Sequence, residues 1–176
     1  MSAHEAPAME RITFPDRVAN LGFRLLLPTG WQNHTLPDEM PDFDDPTALV
    51  PLAVVTAPYA AIAWSVAARP AYGDGTVSDW ARYLLENEGV VLRALGDGRL
   101  GDLPALVGEA GRDSEVGPLT IRFAFAEDGS RLINLSLTAP APLADALVGP
   151  WFAALESFEL ASPQGPTVPL WPVNPP

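Results

Sequence analysis

Few side chains in this sequence have the type and spacing for chemistry, and His34 heads them. Imidazole changes charge near neutral pH and is the usual general base, but a base needs a nucleophile in reach and a group to orient it. Asp38 and Glu39 follow closely enough to orient the ring, and Ser65, Ser78 and Ser136 are the hydroxyls to consider as nucleophiles. None of them sits in a G-x-S-x-G elbow, so the commoner expectation for His34 is a solvated loop residue. His4 lies near the start of the chain and carries less weight.

A second cluster is "LPDEMPDFDDP", residues 36–46, which packs three prolines and five carboxylates into eleven residues with no basic side chain. Asp42, Asp44 and Asp45 offer the oxygens a hard cation prefers. The central glycine and distal glutamate of an EF-hand loop are missing, however, and Pro41 and Pro46 stiffen the segment. A solvated charge cluster is the plainer expectation, and a docking patch for a basic partner is the functional one. The stretch "GDGRLGDLP" has three glycines but no G-x-G-x-x-G opening a helix, so it reads as turn chemistry rather than a phosphate cradle. With 22 acidic residues a pair poised for glycoside hydrolysis has material, yet no spacing marks one.

Composition removes whole classes of function. All ten basic residues are arginine, so there is no lysine for a Schiff base or a P-loop. There is no cysteine, which removes disulfides, thiolate nucleophiles, zinc knuckles, iron–sulfur clusters and lipid attachment to a thiol. A net charge of −12 repels phosphate backbones and anionic membrane surfaces. No run approaches the roughly 18 apolar residues of a membrane helix, and "MSAHEAPAMERITFPDR" lacks the pattern of a secretory signal. The expectation is a soluble, cytoplasmic protein with no cofactor and no membrane insertion.

These candidates are held by elements that the pattern of apolar residues outlines. Residues 1–17 read as a leader in which Ile12 and Phe14 could add an edge strand, residues 18–160 as a single domain, and residues 161–176 as an extended tail with six prolines. Within the domain, "FRLLLP" is a strand ended by a Pro28–Gly30 turn. "LVPLAVVTAP" and "AAIAWSVAARP" are apolar strands on either side of Pro58. Val77, Trp80, Ala81, Leu84 and Leu85 fall at helical spacing, with Thr76 and Asp79 placed as a capping box and Gly89 as a left-handed stop. "VVLRAL" is expected to turn through "GDG" into a meander of strands. Leu119, Ile121, Phe123 and Phe125 alternate there, and Asp128–Gly129 marks a hairpin. "APLADALVGPWFAALESF" closes the domain as helix, with two short helices or a break at Gly149 forced by Pro150.

Trp31, Trp64, Trp80 and Trp151 are expected in the core, where each buries roughly 150–250 Å². Trp171 differs, because it lies between Pro169 and Pro172 beyond the closing helix. With Leu170 it is the natural anchor of the tail, on its own domain or on a partner.

This order of elements resembles the PsbP-like (DcrB-like) family of small α/β sandwiches. The residues that carry the resemblance are Phe23 to Pro28 with Gly30 and Trp31, then Ser78 to Leu85, "GDLPALVG" at Gly101 to Gly108, and Phe152 to Phe158. They lie within residues 21–160, about four-fifths of the chain. The resemblance implies an α+β fold, an antiparallel sheet packed by helices. It also implies a mainly non-catalytic role, because members include a photosystem accessory subunit, a Ran-binding import factor, envelope lipoproteins and chaperones for type VI secretion effectors. The family pattern holds no catalytic residue to carry over.

The leading expectation is therefore a non-enzymatic protein-binding module, an accessory factor or chaperone for a partner such as a secretion effector. Asp42, Asp44, Asp45, Leu170 and Trp171 are its candidate contact residues, and a homodimer is a further option. The alternative is a small-molecule or lipid binder with a cavity between sheet and helices. A hydrolase of unrecognised type, using His34, is the third.

Overall fold

A computed structural model of the chain describes residues 7–14, 21–37, 39, 41, 42, 44, 45, 48–58, 60–71, 76–129 and 131–161. Its strands are β1 (Met9–Phe14), β2 (Phe23–Pro28), β3 (Gln32–Asn33), β4 (Val50–Thr56), β5 (Ala63–Pro70), β6 (Val91–Leu100), β7 (Leu103–Ser114), β8 (Gly117–Glu127), β9 (Arg131–Pro140) and β10 (Glu159–Leu160). Its helices are α1 (Val77–Asn87), α2 (Ala141–Ala144) and α3 (Val148–Ser157), the last two joined by a 3₁₀ turn over Asp145–Leu147. A seven-stranded antiparallel sheet runs β3-β4-β5-β9-β8-β7-β6, and a three-stranded one runs β1-β2-β10.

The large sheet carries the main core on one face and is covered on the other over β7 and β8, where both alternating sets are apolar. On one face Val55, Trp64, Val66, Ala124, Ile133, Leu135 and Leu137 form the main core with Phe14, Phe23, Leu25 and Leu27 of the small sheet. Trp151, Leu155 and Phe158 of the closing helix complete it. Phe14, Phe23 and Phe158 stack in series, and Trp64 stacks on Trp151. On the other face α1 lays Trp80, Ala81, Leu84 and Leu85 against Ala110, Phe123, Phe125 and Leu132. The molecule is thus layered as small sheet with α3, large sheet, then α1.

Local signals in the sequence explain most of the element ends. Thr76 caps α1 through its hydroxyl, which accepts from the Asp79 backbone N–H while the Asp79 carboxylate accepts from Thr76. Gly89 (φ +66°) takes the left-handed position just past the helix. At the β8–β9 hairpin Gly129 has φ +91°, and the Asp128 carboxylate accepts from both the backbone N–H and the guanidinium of Arg131. Ile12 and Phe14 do form an edge strand, with β1 pairing along the whole of β2.

Three sequence expectations need correction. "GDG" (Gly96–Gly98) is not a turn. β6 runs through it, and the chain reverses at Gly101–Asp102, where Gly101 has φ +57°. Nine residues paired across to β7 outweigh the local preference of two glycines. The closing segment does form two short helices, α2 and α3, but α3 begins after Leu147 rather than at a break at Gly149, so that Pro150 falls in its first turn, where its missing N–H costs no intrahelical bond. Trp31 is half-buried rather than fully in the core. It precedes the two-residue strand β3 at the sheet edge and packs on the rim of the core.

Candidate binding face

Three of the residues singled out for chemistry, His34, Ser65 and Ser136, lie on one side of the large sheet, while His4 and Asp38 lie outside the described residues. The backbone N–H of His34 donates to the Val54 carbonyl at 2.9 Å, which sets His34 across from Val54. Val54 pairs with Ser65, Ser65 with Ser136 and Ser136 with Phe123. Residues directly opposed in an antiparallel ladder share a face, so this row crosses the sheet on the side that carries α1. The neighbouring row is Gln32, Thr56, Ala63, Thr138 and Ile121.

This row does not assemble an acid–base site. His34 Nε2 lies 2.6 Å from Thr56 Oγ1, a hydroxyl the sequence reading did not select. Ser65 and Ser136 engage each other at 2.7 Å, and from the histidine's place in the row they stand two and three interstrand spacings away, roughly 9.5 and 14 Å. Ser78 sits in the first turn of α1. No ion pair joins His34 to a carboxylate among the described residues, so the third group of a triad is missing there. Nor, among the described residues, do three or more His, Asp or Glu side chains gather closely enough to hold a metal ion.

The acidic segment lies against the same side. Asp44 N–H donates to the Asp42 carboxylate at 3.0 Å, and Asp45 N–H donates to the Asp42 carbonyl at 3.2 Å, a self-capped turn. The buried Arg69 donates through Nη1 to the Asp45 carbonyl at 3.4 Å, tying this end of the segment to β5. Asp42, Asp44 and Asp45 are all exposed. Leu170 and Trp171, the other candidate contact residues, lie outside the described residues.

Helix α1 covers the β7–β8 part of this face and leaves the β5–β9 part open beside it. The result is a cleft of about 250 Å³. Its floor is hydrogen-bonding (Ser65, Asn134, Ser136, Thr138), and its apolar wall includes Leu84, Leu85, Phe123 and Phe125. Glu88 and Arg112 also line it; both are exposed, and neither forms a salt bridge among the described residues. A contiguous hollow of about 400 Å³ continues past Leu49, Leu84, Asn87 and Glu88. A cleft with this hydrogen-bonding floor differs from the roomy apolar cavity that a lipid would need.

A hollow between sheet and helices was an option in the sequence, but its lining was not legible because five separate elements, β5, α1, β7, β8 and β9, build it. The alternation Asn134, Ser136, Thr138 was legible, but alone it reads as the wetted side of a half-buried strand. Two buried indole N–H groups, Trp64 Nε1 in the main core and Trp80 Nε1 under α1, have no acceptor among the described residues.

No protein-family model and no curated protein matches the chain. Solved structures do. A cyanobacterial PsbP (CyanoP) from Synechocystis sp. PCC 6803 superposes with a TM-score of 0.62 at 14% identity, covering 91% of this chain and 96% of its own. LpqN of Mycobacterium tuberculosis, described as involved in cell envelope biogenesis, gives 0.59 at 10% identity over 86% and 91%. The Ran-binding protein Mog1p of Saccharomyces cerevisiae gives 0.54 at 12% identity over 88% and 96%. At such identities the likeness is one of fold.

Proposed function

On the premise of a PsbP-like fold, we propose that this chain is a non-enzymatic protein-binding module, an accessory factor or chaperone for a partner polypeptide. The observation that carries the reading is the sheet face left open beside α1. It is flanked by exposed acidic residues and furnished with hydrogen-bonding side chains that assemble no nucleophile–base–acid set among the described residues. A similar fold serves Mog1p, whose description is that of a Ran-binding protein, which supports a protein as the kind of partner. The net charge of −12 favours a partner surface that is basic, since opposite potentials steer encounter and suppress wrong pairings. The effector chaperones of the resembling family make a secretion effector one such partner.

The test is quantitative affinity purification of the tagged chain from its source cells. A partner enriched in near-stoichiometric amount, and rebuilt from purified components, is the expected result. Repeated recovery of no specific protein overturns the proposal. A second copy of the chain would show itself in the same material by differentially tagged co-purification.

A further inference from the structure

Resting on that reading, we infer that the cleft between α1 and β9 receives one extended segment of the partner, with a lysine or arginine of that segment seated at the C-terminal end of α1. Three features of the site lead there. Asn134, Ser136 and Thr138 recur at every second residue of β9 and therefore stand about 6.8 Å apart on one face. Alternate residues of an extended peptide repeat with the same period, so such a segment lying along β9 meets a polar side chain at each repeat. Beside this ladder stand Leu84 and Leu85 of α1, with Phe123 and Phe125 of the adjoining strand β8 directly across from Ser136 and Asn134, and together they give an apolar flank for the segment's other side chains. A polar row beside an apolar flank selects an alternating, extended chain over a lipid tail.

The charge at the mouth fixes what one of those side chains is. Glu88 is the C-cap residue of α1 and lines the cleft. The last turn of the helix has no basic residue, so its carbonyl ends and partial negative charge are not offset from within the helix. Asn87 Nδ2 satisfies one of those carbonyls, that of Tyr83, at 2.8 Å. A cation there gains from the Glu88 carboxylate and the helix end together. Arg112, also on the cleft and without an ion pair among the described residues, favours an acidic side chain or a carboxylate elsewhere on the same segment.

The experiment is selection of a phage-displayed random hexapeptide library on the folded chain and on two variants, Glu88→Lys and Ser136→Trp. The wild type should enrich peptides that alternate apolar residues with a lysine or arginine. Glu88→Lys, a change at an exposed site that leaves the core intact, should weaken those peptides about tenfold or more and enrich acidic ones instead. Ser136→Trp, checked for folding by near-UV circular dichroism, should lose both sets. Enriched peptides indifferent to Glu88→Lys overturn the inference. So does native mass spectrometry that finds a lipid in the wild type and none in Ser136→Trp. If affinity purification recovers a partner that still binds Ser136→Trp, the cleft inference fails while the protein-binding reading stands; if no partner is recovered at all, that reading fails.

Discussion

Ser65 on β5 and Ser136 on β9 face each other as directly opposed residues, with their hydroxyl oxygens 2.7 Å apart on the floor of the open cleft. Each hydroxyl is the other's partner across the central strand pair of the large sheet. Removing one leaves the survivor half-buried without that bond, whereas removing both leaves nothing unsatisfied.

The first prediction follows from this pair. Ser65→Ala and Ser136→Ala should each cost about 1 kcal/mol, and the double variant should cost less than the sum, with a coupling of about 0.5–1 kcal/mol. Urea denaturation of the four proteins in the cycle measures it. Strict additivity would show that the two hydroxyls do not depend on each other.

Gly101 supports the second. It turns the chain between β6 and β7 with φ +57° and donates its N–H to the Leu155 carbonyl at 2.7 Å, docking the C-terminal end of α3 on the turn. A Cβ at this position would overlap the Phe158 carbonyl oxygen, which belongs to backbone and cannot rotate away. Gly101→Ala should therefore cost at least about 2 kcal/mol, the left-handed conformation and the overlap acting together. Gly129→Ala, at φ +91° but with open space around it, should cost less. Thermal denaturation of the two variants distinguishes them, and equal losses would remove the packing part of the argument.

The third concerns acid. The side-chain hydrogen bond from Arg24 holds the Glu159 carboxyl below the usual range, with help from the positive charges of Arg24 and Arg11. Hydrogen bonds from the Thr76 backbone and hydroxyl do the same for Asp79. Both carboxyls are depressed in the folded state, so their contribution is present above the ordinary carboxylate range and is lost as pH falls through the folded values. Stability should accordingly fall at the acid end, below about pH 4, and these two groups should add no dependence near neutrality. In an NMR titration Glu159 should move back toward the ordinary range in Arg24→Gln, and Asp79 should move only part of the way in Thr76→Ala, which removes the hydroxyl but keeps the backbone N–H. That second variant should also cost about 1 kcal/mol through loss of the cap. An unmoved Glu159 in Arg24→Gln would mean that the guanidinium is not what holds it down.

Much of the architecture was legible because its signals are local. The stripe Val77, Trp80, Ala81, Leu84, Leu85 and its Thr76–Asp79 cap specify α1 within a dozen residues. The alternation through β8 and β9 and the turn at Asp128–Gly129 specify the hairpin in the same way. Where local and tertiary preferences conflicted, the larger energy prevailed. "GDG" became strand because its pairing with β7 extends over the whole of β6, and Pro150 entered α3 at the one turn that tolerates it.

The candidate site was of the other kind. The sequence by itself determined that the chain would be an acidic α+β sandwich without lysine or cysteine, and that its few catalytic residue types would be scattered through it. Only the tertiary structure decided that His34, Ser65 and Ser136 lie along one row of one face, and that His34 engages Thr56 rather than a serine. It also decided that α1 lies over β7 and β8 and leaves the Asn134–Thr138 part of β9 and the neighbouring Ser65 open as a cleft. The reason is that a residue's own alternation sets which face of a strand it occupies. Its neighbours across the sheet are set by the pairing of strands far apart in sequence, and the register of those pairs is the sum of many weak contacts that no single segment encodes.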